Sequence, residues 1–190
     1  MTIVVLIVAI ALLVLLYGWY AAIVRRRNQA EDALAGIDVQ LTLRHDLIPN
    51  MLAVAKRFMA RERDLIEEIT RLRAQGVQAV GARHAAAVST KFATEARLGA
   101  DLQRLFAVAE NYPELKSQGS ILEAQQALSE AETNIAAARR FYNSAVTQLR
   151  NATQIFPGTI LAGMAGVTKL PPFYEAVREQ RGAIDAAAYL

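Results

Sequence analysis

The chain of 190 residues contains no cysteine. That excludes disulfides, thiolate nucleophiles and Cys-based zinc or iron–sulfur centres, and leaves the redox compartment open. Histidine is nearly as scarce, with only His45 and His84. His45-Asp46 superficially resembles an HD metal motif, but a metal site needs several convergent ligands. No metal and no cofactor is therefore expected. No Gly-rich phosphate loop follows a strand pattern, so nucleotide binding has no support. Ser89, Ser117, Ser120, Ser129 and Ser144 lack a plausible base nearby in sequence. The inventory yields no catalytic residue, and the chain is expected not to be an enzyme. Net charge is only +3, which demands no polyanionic partner. Nucleic-acid binding would need a basic stripe with interleaved aromatics, and none is present.

What the chain has in excess is apolar and helix-forming residues: 54% are hydrophobic. Ile3 to Val24 carries no charge. As a helix it is about 33 Å long, matching a bilayer core of about 30 Å. Tyr17, Trp19 and Tyr20 cluster near its end, where amphipathic rings favour the headgroup layer, and Arg25, Arg26 and Arg27 follow at once. A cleaved signal peptide is opposed by three features: no positive n-region, too long an apolar run, and basic residues on the wrong side. The expectation is a retained anchor over residues 1–24, with Met1 outside and the rest cytoplasmic.

No strand pattern appears, and proline is absent between Pro49 and Pro113. The fold class expected is all-α: an N-terminal transmembrane helix continuing into an elongated antiparallel four-helix bundle over residues 25–154. Ala124, Leu128, Ala131, Ile135, Ala138, Tyr142, Ala145 and Leu149 alternate spacings of three and four. That is a heptad seam with one small and one large row. It suits a bundle core, and part of it could serve between subunits. A second stretch carries Val88, Phe92, Ala96, Gly99, Leu102, Phe106 and Ala109. The short connector from Tyr112 to Gly119 predicts that these two helices are antiparallel neighbours. The remaining stretch runs from Ile37 through Leu41, Ile48, Leu52, Ala55, Met59 and Ile66 to Ile69, in phase across Pro49. Proline lacks an N–H and clashes with the preceding turn. The outcome is one kinked helix, favoured by the preserved phase, or a helix ending near His45 and restarting with Asp46 as its cap.

Arg44, Lys56, Arg57, Arg61, Arg63, Arg71 and Arg73 alternate with acidic residues, as on a solvated helix face. Residues 155–190 are read as an apolar segment and a tail. Ile155 to Val167 is uncharged but too short to span a bilayer. Its residues Phe156, Ile160, Leu161 and Met164 are expected to meet the bundle, another subunit or the membrane interface, with Phe173 and Tyr174 pinning the far end. Beyond Gln180 the chain has little to constrain it until the small apolar stretch from Ala186 to Leu190.

The run Ile37-Asp38-Val39-Gln40-Leu41, followed by Arg44-His45-Asp46-Leu47-Ile48-Pro49-Asn50, resembles the signature of the LemA family of bacterial membrane proteins. So do Arg27-Asn28, Tyr112-Pro113-Glu114-Leu115-Lys116, Ala138-Arg139, Tyr142-Asn143, Val146, Asn151 and Phe156-Pro157. The tryptophan often found before the Ile-Asp run is absent, with Ala33 to Gly36 in its place. The resemblance implies one anchor, a short exterior N-terminus and a cytoplasmic four-helix bundle, and carries over no catalytic residue. A related magnetosome protein is associated with forming internal membranes, which by analogy suggests membrane organisation.

Arg44, Asp46 and Asn50 are expected to form a structural polar network with Tyr142, Asn143 or Asn151, because buried Asn needs partners and satisfied networks fix register. The function expected is a self-assembling scaffold on the inner membrane, whose partners are the lipid bilayer and copies of itself. The alternative is a small adaptor presenting its bundle to a membrane protease, a sensor or another client.

Overall fold

The computed structural model describes residues 1–116 and 119–175. These residues form an all-α chain of α1 (Thr2–Phe58), α2 (Arg63–Ala79), α3 (Ala85–Ala109), α4 (Pro113–Lys116), α5 (Gly119–Gln154) and α6 (Gly158–Leu161). The expected small stretch at Ala186–Leu190 lies outside the described residues.

α1 is a single helix of 57 residues. Its apolar run is long enough and apolar enough to cross a membrane, and from Ile3 to Leu15 its large side chains are exposed. From Ala30 onward one face turns inward. Ala30, Leu34, Ile37, Leu41, Arg44, Ile48, Met51 and Ala55 are buried at alternating spacings of four and three. The helix passes through Pro49 without ending. The restart at His45 therefore does not occur, and Asp46 is an exposed mid-helix residue, not a cap. Pro49 itself is exposed.

The true break lies later. The heptad phase that runs from Ile37 to Ile69 is cut at Met59–Glu62, where no Gly or Pro marks it. The reason is tertiary. Folding back lets Leu65, Ile66, Ile69 and Leu72 of α2 share one core with Ile48, Met51, Leu52 and Ala55 of α1. Burial of each such side chain is worth about 1.5–3 kcal/mol, which exceeds what one continuous exposed helix would gain.

The four long helices run up, down, up and down. α1 packs chiefly on α5, and α2 on α3. α3 and α5 are antiparallel neighbours as expected: Phe92 meets Tyr142 edge-on at 5.6 Å, and Leu98, Leu102 and Leu105 share a core with Ile121 and Leu128. Arg44 of α1 reaches both helices through Glu95 and Glu132, and Tyr174 of the C-terminal segment reaches both through Phe92 and Asn143. On α5, Leu128, Ala131, Ile135, Tyr142, Ala145 and Leu149 are buried, while Ala124 and Ala138 are half-buried. The small row lets α1 approach closely. On α3 the buried row is Val88, Lys91, Glu95, Leu98, Leu102 and Leu105, again spaced three and four. Phe92 is also buried, whereas Ala96, Gly99, Phe106 and Ala109 are only half-buried.

Candidate functional site

Two regions concentrate polar or exposed features with no purely packing explanation. The first is a buried charged layer at mid-bundle. Arg44 occupies a seam position on α1, between Leu41 and Ile48, and is 2% exposed. Its Nη1 donates to Glu132 Oε1 of α5 at 2.6 Å, and Nη2 donates to the carboxylate of Glu95 and, at 3.1 Å, to the Glu95 carbonyl on α3. His45 Nε2 lies 2.9 Å from Glu95 Oε1. Burial alone would lower the Arg44 pKa, but the carboxylates of Glu132 and Glu95 outweigh it and hold the guanidinium firmly charged. α2 contributes an absence of side chain. A Cβ at Gly76 would sit 2.8 Å from His45 Nε2 and overlap the Glu95 carboxylate. Four helices thus close on one ion cluster.

A second buried pair lies two turns nearer the apolar span. Asp38 accepts from Lys91 Nζ at 2.6 Å, from Arg83 Nη1 at 2.9 Å and from the Gly81 amide at 3.2 Å. Gly81 has φ +81°, the left-handed conformation that favours glycine in this turn. Breaking a buried pair strands a charge at a cost of about 3–5 kcal/mol, so these contacts fix which helix faces which.

The expected polar network is corrected by this geometry. Arg44 is in a network, but its partners are Glu95 and Glu132. Asp46, Asn50 and Asn151 are exposed on the outer faces of α1 and α5. Asn143 pairs with the C-terminal segment: its Nδ2 donates to the Tyr174 carbonyl at 3.0 Å and its Oδ1 accepts from the Tyr174 amide at 2.9 Å. Tyr142 donates to the Pro172 carbonyl at 2.8 Å. The Tyr174 ring stacks on Phe92 at 3.9 Å, and Arg139 lies over its other side at 4.3 Å. Residues 170–175 therefore bridge α3 and α5. Burial pushes the hydroxyls of Tyr142 and Tyr174 up to about 12.

The second region is a collar around the end of the apolar span. After α5 the chain reverses through Phe156-Pro157 and Gly158, where a Cβ would overlap the Ala152 carbonyl. Leu161 and Ala165 pack on Ile23, with Leu16, Trp19, Tyr20 and Val24 around them. Of the four apolar residues singled out in this segment, Leu161 points inward and docks on the chain's own α1, so it is not a contact for another subunit or the membrane. Phe156, Ile160 and Met164 point outward, at 74%, 68% and 74% exposure. Arg25 is exposed and bonds back to the Ala21 carbonyl, Arg26 donates to Gln148 Oε1 at 2.5 Å, and Arg27 pairs with Glu31 at 2.9 Å. Arg27 Nη1 also reaches the Ala165 carbonyl at 3.4 Å, beside Gly166, whose φ is +74°.

The sequence model of the LemA family matches residues 33–186. The chain belongs to the LemA family. Curated proteins compared one by one give no match. Several residues on which the LemA resemblance rests are the ones that make these contacts: Asp38, Arg44 and His45 in the ion clusters, and Tyr142 and Asn143 in the clamp on the C-terminal segment. Sequence reasoning missed Lys91, Glu95, Glu132 and Gly76. A signal existed for two of them, since Lys91 and Glu95 occupy heptad positions continuous with Val88, Leu98 and Leu102.

Proposed function

We propose that this LemA protein is a single-pass, membrane-anchored scaffold without enzymatic activity, which self-assembles and organises the bacterial membrane that holds it. In this reading the N-terminus lies outside, Arg25 to Arg27 sit at the inner face, and the bundle is cytoplasmic. The supporting observation is the unbroken course of α1. The apolar span and the first bundle helix are one 57-residue helix, so the orientation of the bundle is transmitted directly to the bilayer. Exposed apolar side chains on the bundle, Val39 and Leu43 on α1 and Phe141 on α5, offer contact surface for further copies. The test is the mass of the full-length protein in mild detergent by light scattering. The scaffold reading expects a discrete particle many times the 20.8 kDa chain, reduced in size by Leu43→Lys. A particle that stays monomeric or dimeric across detergents sinks it and favours an adaptor.

A further inference from the structure

We infer that the turn after α5 is a second membrane-inserting element, and that Ile155, Phe156, Ile160 and Met164 enter the leaflet alongside α1. The inference rests on the anchored reading of α1, not on self-assembly.

Depth is the first argument. Leu161 and Ala165 seat the turn against Leu16, Trp19, Tyr20, Ile23 and Val24. These belong to about the last two and a half turns of the uncharged run, on the bilayer side of Arg25 to Arg27. If the span crosses a bilayer, the turn lies at the boundary between acyl chains and headgroups.

Facing is the second. Phe156, Ile160 and Met164 recur every four residues and form an exposed apolar row, and Ile155 beside them is 58% exposed. Their neighbours Leu161 and Ala165 hold the opposite side on α1. The apolar run of α1 against which the turn is seated likewise exposes Ile10, Leu13 and Tyr17. Lipid covers that surface in the anchored state, and the same lipid is at hand for the turn.

Charge is the third. No ionisable residue occurs from Ile155 to Val167, and the next one is Lys169. Lys169 lines the same cavity as Arg27. Basic side chains thus flank the apolar face on its bundle side, at the level where anionic headgroups would meet them.

Trp19 is the chain's single tryptophan, so fluorescence quenching reads position directly. The full chain is reconstituted into phosphatidylethanolamine–phosphatidylglycerol vesicles whose acyl chains are brominated. Ile160→Trp and Met164→Trp are made in a Trp19→Phe background, with Leu122→Trp at the far end of the bundle as reference. Both turn variants are expected to be quenched several-fold, comparably to Trp19 in the parent, and Leu122→Trp to be unaffected. Unquenched turn variants beside a quenched Trp19 would overturn the inference and leave the anchor standing. If those variants were also shielded from aqueous acrylamide, a second copy covers the face, which equally overturns it. An unquenched Trp19 would remove the anchored reading and this inference with it.

Discussion

Arg73 Nε donates a hydrogen bond of 2.7 Å to the carbonyl oxygen of His45, the residue four positions before Pro49. In an uninterrupted helix that carbonyl accepts from the amide of residue 49, and proline has none. α2 therefore supplies the donor that Pro49 removes, and the flaw in α1 becomes a docking point for the hairpin. An unmet carbonyl at this depth costs about 1–3 kcal/mol.

Arg73→Ala should lower stability by about 1–2 kcal/mol. Pro49→Ala should restore the intrahelical bond and make the loss of Arg73 nearly harmless. A double-mutant cycle by chemical denaturation reads the coupling directly. Additive effects would show that Arg73 serves only as a surface charge.

Gly76→Ala should destabilise strongly, by more than about 2 kcal/mol, since its Cβ displaces the His45 ring and a buried carboxylate. Gly36→Ala provides the contrast. Gly36 is exposed in mid-helix with nothing within 4 Å of its Cβ position, so alanine there should stabilise by about 0.5–1 kcal/mol. Thermal melts of the two variants should shift in opposite directions.

Much of this was legible in sequence and some was not, for a physical reason. The helical class and the α5 seam follow from composition and periodicity, and the apolar span from an uncharged run of bilayer length. The two ion clusters do not, because Lys91 and Glu95 hold heptad positions that a search for apolar residues skips. Periodicity ranks apolar positions and passes over a seam that carries charge, so Phe92 and Ala96 stood in for the true row. Asn50 reads as a buried polar residue in need of partners, with Asp46 in the same network, yet both lie on the outer face of α1. The turn at Met59–Glu62 carries no breaker at all and is set by the core that forms across it.

Glu95→Gln keeps the shape of the cluster and removes the charge that Arg44 and His45 share. It should cost about 3–5 kcal/mol, because Arg44 is left buried with only a partly exposed partner. Glu132→Gln removes the outer partner, which is 39% exposed and can be replaced in part by water, and should cost less, about 1–2 kcal/mol. Equal losses for the two would contradict the assignment of Glu95 as the central group.

Alkaline pH should weaken the clamp on the C-terminal segment. The Tyr142 and Tyr174 hydroxyls rise from 10.0 to about 12 through burial. A raised folded-state value means that the neutral form is favoured by folding, so the stabilisation is complete below pH 10 and is lost as pH climbs toward 12. Each site contributes on the order of 2 kcal/mol across that window. Tyr174→Phe should flatten the fall in melting temperature between pH 10 and 12. An unchanged slope would mean that other groups govern the alkaline transition.

The most direct test of membrane organisation is electron cryomicroscopy of vesicles carrying the full chain at rising protein density. The scaffold account predicts clustered, regularly spaced bundles and vesicle walls whose curvature changes where they gather. Bundles dispersed singly at every density, on vesicles that stay as round as protein-free ones, would contradict it.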